Sequence, residues 1–203
     1  PWEGGTGLIS RQYVKAHLLL GKEALADGDA DAALAHFESA QATYPENLGE
    51  RKHLNWADAD VHYYTGVAKQ RLGDESGARE SFRCVLEGRD GEVLEAAYYR
   101  GLALRAMGRD AEADAALTAL LEQARERREE QARREFATSV PEFVFTEVDA
   151  ETRRRIHLTY LIGLAHLGLG HEEDAKAAFR SVLDRQPGHV NARLRLRDLG
   201  ASP

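Results

Sequence analysis

The sequence predicts an all-α protein built as an array of antiparallel helix pairs, and three regularities carry that prediction. Four pairs of glycines stand seven residues apart: Gly21 and Gly28, Gly66 and Gly73, Gly101 and Gly108, Gly163 and Gly170. Five residues after the second glycine of each pair comes an alanine, Ala33, Ala78, Ala113 and Ala175. Four residues further on lies a large apolar side chain, Phe37, Phe82, Leu117 and Phe179, and three beyond that are Ala40, Val85, Leu120 and Val182. With 203 residues, 43% hydrophobic and 30% charged, the chain is long enough and apolar enough to bury a core for one or two domains.

Each repeated position has a physical reading. The first glycine lies inside a helix, where it costs roughly 1 kcal/mol of propensity, a loss usually offset by the close approach of a second helix. The second glycine ends that helix, and the residue after it (Asp29, Asp74, Arg109, His171) opens the next. A turn this short forces the two helices antiparallel. In the second helix the alanine and the large residue, four apart, stack on the face turned towards the first helix.

Glycine, alanine, phenylalanine and proline at these spacings resemble the tetratricopeptide repeat, a 34-residue helix-turn-helix unit. The units run 14–47 (Leu20, Gly21, Ala33, Phe37, Ala40, Pro45), 59–92 (Gly66, Ala78, Phe82), 94–127 (Gly101, Ala113, Leu117) and 156–189 (Ile162, Gly163, Ala175, Phe179, Pro187). The family's Trp is replaced by His17, His62, Ala97 and Thr159, so His17 and His62 are expected as partly buried packing residues. The resemblance implies an αα-superhelix, a right-handed solenoid of helix pairs within a single domain over 10–203.

Equivalent glycines step by 45, 35 and 62 residues, so two insertions interrupt the array. The first, 48–58, reads as a loop anchored by Trp56. The second, 128–155, opens as a continuation of the preceding helix through Glu135, with Arg125–Glu129, Glu129–Arg133 and Glu130–Arg134 one turn apart. Its remainder, Phe136 to Val148 with Phe143 and Phe145, is too apolar for a free linker and either packs internally or docks a partner. Residues 189–199, with Val190, Leu194, Leu196 and Leu199, read as a helix covering the last apolar face of the array.

Residues 1–9 read as an extended linker or strap. The opening Pro1-Trp2-Glu3-Gly4-Gly5 has neither an initiator Met nor a signal peptide, which predicts a segment of a longer polypeptide, cytoplasmic by default. Trp2 to Gly5, Thr43 to Glu50 and Asp60 to Tyr63 also resemble the C-terminal repeat region of large bacterial proteins with an N-terminal β-sandwich. That narrower resemblance implies an accessory domain docking within a carbohydrate-related enzyme.

A formal charge of −7 argues against a general nucleic-acid binder, because neutralising phosphates takes a surplus of Lys and Arg. No apolar run reaches the ~20 residues of a membrane span; Leu158 to Leu169 is broken by His166 and by glycines. The lone Cys84 sits beside Phe82 and Val85 with no base in view, Gly4-Gly5-Thr6-Gly7 lacks the Lys-Ser/Thr of a phosphate loop, and Glu172-Glu173-Asp174 belong in a first helical turn. No catalytic or cofactor-binding residue is expected. His166 and His171 flank the fourth turn beside Glu172 and Glu173, but their spacing crosses Gly170, so they read as ordinary turn residues and no metal is expected.

In the family, first helices line a concave groove. The resemblance places Lys15, Leu18, Lys22 and Leu25 there from the first unit, and Asp60, Tyr63, Val67 and Gln70 from the second. The third unit adds Glu95, Tyr98, Leu102 and Arg105, and the fourth His157, Tyr160, Leu164 and Leu167. The Lys and Asn clamp of chaperone-tail binders is missing, with Leu18, Tyr63 and Tyr64 in its place. These features imply a non-catalytic interaction scaffold that binds a peptide, a partner protein or another domain of the parent chain, with self-association through the ends of the array also open.

Overall fold

The computed structural model describes residues 8–41, 58–88, 94–137 and 145–201. All regular structure among them is helical: α1 (Leu8–Ala26), α2 (Ala30–Gln41), α3 (Ala59–Arg71), α4 (Glu75–Glu87), α5 (Leu94–Ala106), α6 (Asp110–Ala137), α7 (Phe145–Gly168), α8 (Glu172–Arg185) and α9 (Val190–Asp198). The chain resolves into two compact units, Pro1–Asp110 and Ala111–Pro203. Residues 42–57 with Pro45 and Trp56, the loop residue Phe143 and residues 1–7 of the expected strap lie outside the described residues, whereas Leu8 and Ile9, expected as extended strap, already belong to α1, and Asp58 stands at the N-terminus of α3.

The helix boundaries follow from the turn glycines. Gly28, Gly73, Gly108 and Gly170 adopt φ of 86°, 80°, 75° and 79°, the left-handed conformation that ends a helix. In each case the next residue's N–H reaches back to a carbonyl five residues earlier: Asp29 to Ala24, Asp74 to Lys69, Arg109 to Leu104 and His171 to His166, all at 2.9 Å. This closure satisfies the helix's last carbonyls and reverses the chain within two residues. Asp29 and Asp74 then cap the following helix by accepting from the N–H groups of Ala32 and Gly77, both at 2.9 Å.

Inside the first unit α1 pairs with α2 and α3 with α4, α2 packs on α3, α4 packs on α5, and α3 touches both α1 and α5. Ala33, Phe37, Ala40, Val61 and Ala68 form a core with Leu25, and Val14, Leu18, Leu34, Tyr64 and Val67 pack around it. Gly21 and Gly66 each face a ring: a Cβ on Gly66 would lie 2.5 Å from Phe82 Cε1, and one on Gly21 would meet Phe37 in the same way. The close approach expected of these glycines is therefore helix backbone against phenyl ring, with both rings buried.

In the second unit α7 pairs with α8, and α8 packs on α9. Gly163 repeats the arrangement against Phe179, while Gly168 faces the methyls of Leu117 on α6. Leu117, Leu120, Leu161, Leu164, Phe179, Val182 and Leu196 are fully buried. Helix α6 continues to Ala137, as the charge pattern predicts. Helix α7 begins at Phe145, within the expected second insertion and well before Ile156. From Thr146 to Arg155 there is no Gly or Pro, so nothing stops the helix from extending back. On α9, Leu196 is buried as expected, whereas Val190 is 49% exposed and faces away from the cap's apolar side.

Candidate functional site

The groove residues named by the repeat pattern divide by burial. On α1, Lys15 is exposed, Leu18 is half-buried, and half-buried Lys22 places Nζ 5.3 Å above the Tyr64 ring. On α3, Tyr63 and Val67 are half-buried, and on α5 so are Leu102 and Arg105. Tyr98 is only 3% exposed, packed against Tyr99 with ring centroids 5.1 Å apart. Tyr160 is also 3% exposed, between Phe179 at 5.7 Å and His189 at 5.0 Å, and Leu164 has no exposed surface at all. These three residues serve packing in this structure and have little or no surface to present to a ligand. For Tyr160 and Leu164 the sequence carried a signal: apart from Thr159 and His166, 158–167 is apolar around the helix, the pattern of a buried segment.

Ten of the expected groove positions are half-buried or exposed on the first helices of the first unit, Lys15, Leu18, Lys22, Asp60, Tyr63, Val67, Gln70, Glu95, Leu102 and Arg105, whereas Leu25 is buried. Tyr63 belongs to a run of rings, 5.2 Å from Tyr64, 5.9 Å from Phe82 and 6.0 Å from Tyr99. At the N-terminal end of α3, Asp60 Oδ1 accepts from the Val61 N–H at 2.8 Å. Burial, reinforced by the charges of Glu95 and Asp58, pushes its carboxyl up to about 7.

The histidines at the family's Trp position are half-buried, as expected. His17 Nδ1 lies 3.1 Å from His36 Nδ1, and burial together with that second ring lowers its pKa. His62 Nδ1 meets Gln41 Nε2 at 3.3 Å, and the same amide donates to Thr65 Oγ1 at 3.0 Å. Cys84 is a free, half-buried thiol.

One geometric expectation is overturned. The turn at Gly170 does fold His166 and His171 back together: Nδ1 of one is 3.4 Å from Nδ1 of the other, and Asp174 Oδ2 is 3.8 Å from His166 Nδ1. The reason is the helix closure itself, since the His171 N–H bonds to the His166 carbonyl and so brings those two side chains to one place. Arg125 Nη2 sits 3.2 Å from His166 Nε2. Burial lowers the pKa of His166; Asp174 opposes that, and Arg125 and His171 add to it.

Among the described residues no helix is long and apolar enough to cross a membrane. Residues 95–126 and 156–189 each match a family model described as tetratricopeptide repeat, coinciding with the third and fourth expected units. The chain is similar to the solved structure of MamA 41-end from Desulfovibrio magneticus RS-1 at 19% identity, over 94% of this chain and 82% of that one, with a TM-score of 0.33. It is similar to YrrB, titled a TPR protein with an unusual peptide-binding site, at 16% identity over 87% and 88% of the two chains, TM-score 0.33. A third similar structure is TTC0263, a thermophilic TPR protein in Thermus thermophilus, at 18% identity over 91% and 97%, TM-score 0.32. The chain thus carries tetratricopeptide repeats at 95–126 and 156–189, and the glycine-to-phenyl contact of Gly163 with Phe179 recurs in the first unit at Gly21 with Phe37 and Gly66 with Phe82.

Proposed function

We propose that this chain is a non-catalytic interaction scaffold that holds an extended peptide, or an exposed segment of a partner domain, along α1, α3 and α5. One observation supports the reading most directly. Leu18, Val67 and Leu102 remain half-buried on three first helices of one compact unit, with Lys15, Lys22, Tyr63 and Arg105 among them. Apolar residues part-exposed beside cations and a tyrosine suit a ligand with apolar side chains and carboxylates: the apolar contacts supply affinity, and the charges fix register. The partner segment comes from another protein or from elsewhere in the same polypeptide.

The test is peptide selection from a displayed library on the full chain, followed by affinity measurement by fluorescence anisotropy. Selected peptides should carry apolar residues with acidic neighbours, and Leu18→Ala combined with Leu102→Ala should weaken them about tenfold or more. Lys22→Glu should weaken acidic peptides further and flatten their salt dependence. Peptides whose affinity is untouched by all three substitutions would place binding elsewhere.

A further inference from the structure

The turn between α7 and α8 differs from its three counterparts in a way that packing does not explain. The three places brought together by each turn are the residue four before the glycine, the residue after it, and the residue three further on. In the first three turns they hold Ala24, Asp29 and Ala32, then Lys69, Asp74 and Gly77, then Leu104, Arg109 and Glu112. In the fourth they hold His166, His171 and Asp174, whose ligand atoms all lie within 4.8 Å of one another.

His171 also gives up the usual task of its position. Asp29 and Asp74 cap their helices through their side chains, and a histidine in this same protein can do so, since His189 Nδ1 accepts from the Ala192 N–H at 3.1 Å. His171 is the residue before α8 yet makes no side-chain cap bond; its Nδ1 is turned to His166 instead. A local rule broken without a packing gain marks a place where chemistry, not stability, sets the residue.

The distances discriminate between a hydrogen-bonded cluster and a ligand set. Good N–H···N and N–H···O bonds fall at about 2.7–3.2 Å. The 3.4 Å between the two Nδ1 atoms and the 3.8 Å from His166 Nδ1 to Asp174 Oδ2 are longer. Ligand atoms on a tetrahedral ion with bonds of about 2.0–2.1 Å stand about 3.3 Å apart, a spacing the two Nδ1 atoms already have and the exposed Asp174 carboxylate reaches by moving in about half an ångström. His166 is buried and fixed by its helix, while His171 and Asp174 are exposed, so an ion and its water could enter from solvent.

We propose that His166 Nδ1, His171 Nδ1 and an Asp174 carboxylate oxygen bind a divalent transition-metal ion of borderline softness, Zn²⁺ in the simplest case, with solvent completing the coordination. Two imidazoles and a carboxylate suit Zn²⁺ better than the harder Mg²⁺ or Ca²⁺, which take oxygen ligands. Glu172 and Glu173 add negative charge on the same turn, offsetting the positive end of α8. The bound ion would tie the last turn of α7 to the first turn of α8.

Arg125 gives the proposal a distinctive signature. An imidazole bound to metal through Nδ1 carries its proton on Nε2, and that N–H would point at the Arg125 guanidinium, which only donates. Loading therefore requires Arg125, an exposed residue, to turn away. A glutamine there could instead accept from the Nε2–H, the kind of second partner that strengthens metal-bound histidine.

The experiment is calorimetric titration of the full chain with Zn²⁺, with Co²⁺ absorption spectra as a second readout. One Zn²⁺ per chain should bind, and Co²⁺ should give the visible bands of a four- or five-coordinate nitrogen and oxygen site. His171→Ser and Asp174→Asn should each weaken binding about tenfold or more, and Arg125→Gln should tighten it. His171→Ser restores a good helix cap, so the metal-free variant should melt higher than the parent while binding metal worse, which separates ligand loss from unfolding. His36→Gln, which removes the His17–His36 pair of the first unit, should change nothing at this site. Absence of stoichiometric Zn²⁺ binding, or binding that survives His171→Ser and Asp174→Asn, would overturn the proposal.

Discussion

Gly163 lies against the face of Phe179 so closely that a methyl group on the glycine would stand 2.6 Å from the ring's Cε1. Phe179 is completely buried, so the ring has no room to yield. Gly163→Ala would gain about 1 kcal/mol of helix propensity but force the helices apart or the ring off its rotamer, at about 1–3 kcal/mol or more. The expected result is a net loss of about 1–2 kcal/mol in urea denaturation. A double-mutant cycle with Phe179→Leu should show strong coupling, because a smaller, flexible side chain can make way for the new methyl.

The turn glycines behave differently. A Cβ on Gly73 would meet nothing within 4 Å, so space is not the constraint there; its φ of +80° is. Gly73→Ala should cost about 1–2 kcal/mol from left-handed strain alone, and Gly73→Asn less, since asparagine tolerates that region better. Equal losses for Ala and Asn would mean that the turn is held by something other than backbone conformation.

These two kinds of glycine explain why the helix pairs could be read from the sequence. One marks where a ring needs room and the other where φ must be positive, and each leaves a residue type at a fixed place. The start of α7 left no such mark: from Thr146 to Arg155 nothing stops a helix, and the repeat pattern begins only at Ile156. Exposure at the expected groove positions was legible in part. Leu18, Val67 and Leu102 keep some exposure, but Tyr98, Tyr160 and Leu164 do not, because a family position says which way a residue points in an average repeat and not what packs over it. The His166 and His171 pair was hidden by a spacing of five, which separates side chains on a continuous helix but joins them across a helix closure.

Asp74 carries an acid-side prediction. Its carboxylate accepts from the Gly77 N–H at 2.9 Å and the Ser76 hydroxyl at 3.0 Å, and these bonds, with the charge of Lys69, hold its pKa below the usual carboxylate range. A carboxyl depressed by folding contributes stability that is present above its unfolded value and lost as pH falls through its folded one. Asp74→Ala should therefore lower the urea midpoint near about pH 7, with the difference shrinking as pH drops below about 4. A constant difference across that range would mean that the loss comes from something other than the charged cap.

Asp60 should show the opposite slope. Burial and the neighbouring Glu95 and Asp58 raise its carboxyl to about 7, so the folded chain keeps a proton that the unfolded chain releases near its ordinary value of 3.8. Stability linked to this group is fully present below that ordinary value and is lost as pH rises through the folded one. Asn in its place preserves the oxygen that accepts from the Val61 N–H at 2.8 Å and removes the charge. Asp60→Asn should accordingly stabilise the protein by at most about 4 kcal/mol at about pH 8, less to the extent that solvent screens this half-buried carboxyl, and by almost nothing at about pH 4. The check is urea denaturation of both proteins at these two pH values. A gain that grows towards acid pH would reverse the sign and show that Asp60 is held ionised, with its charge satisfied by a partner instead of suppressed by burial.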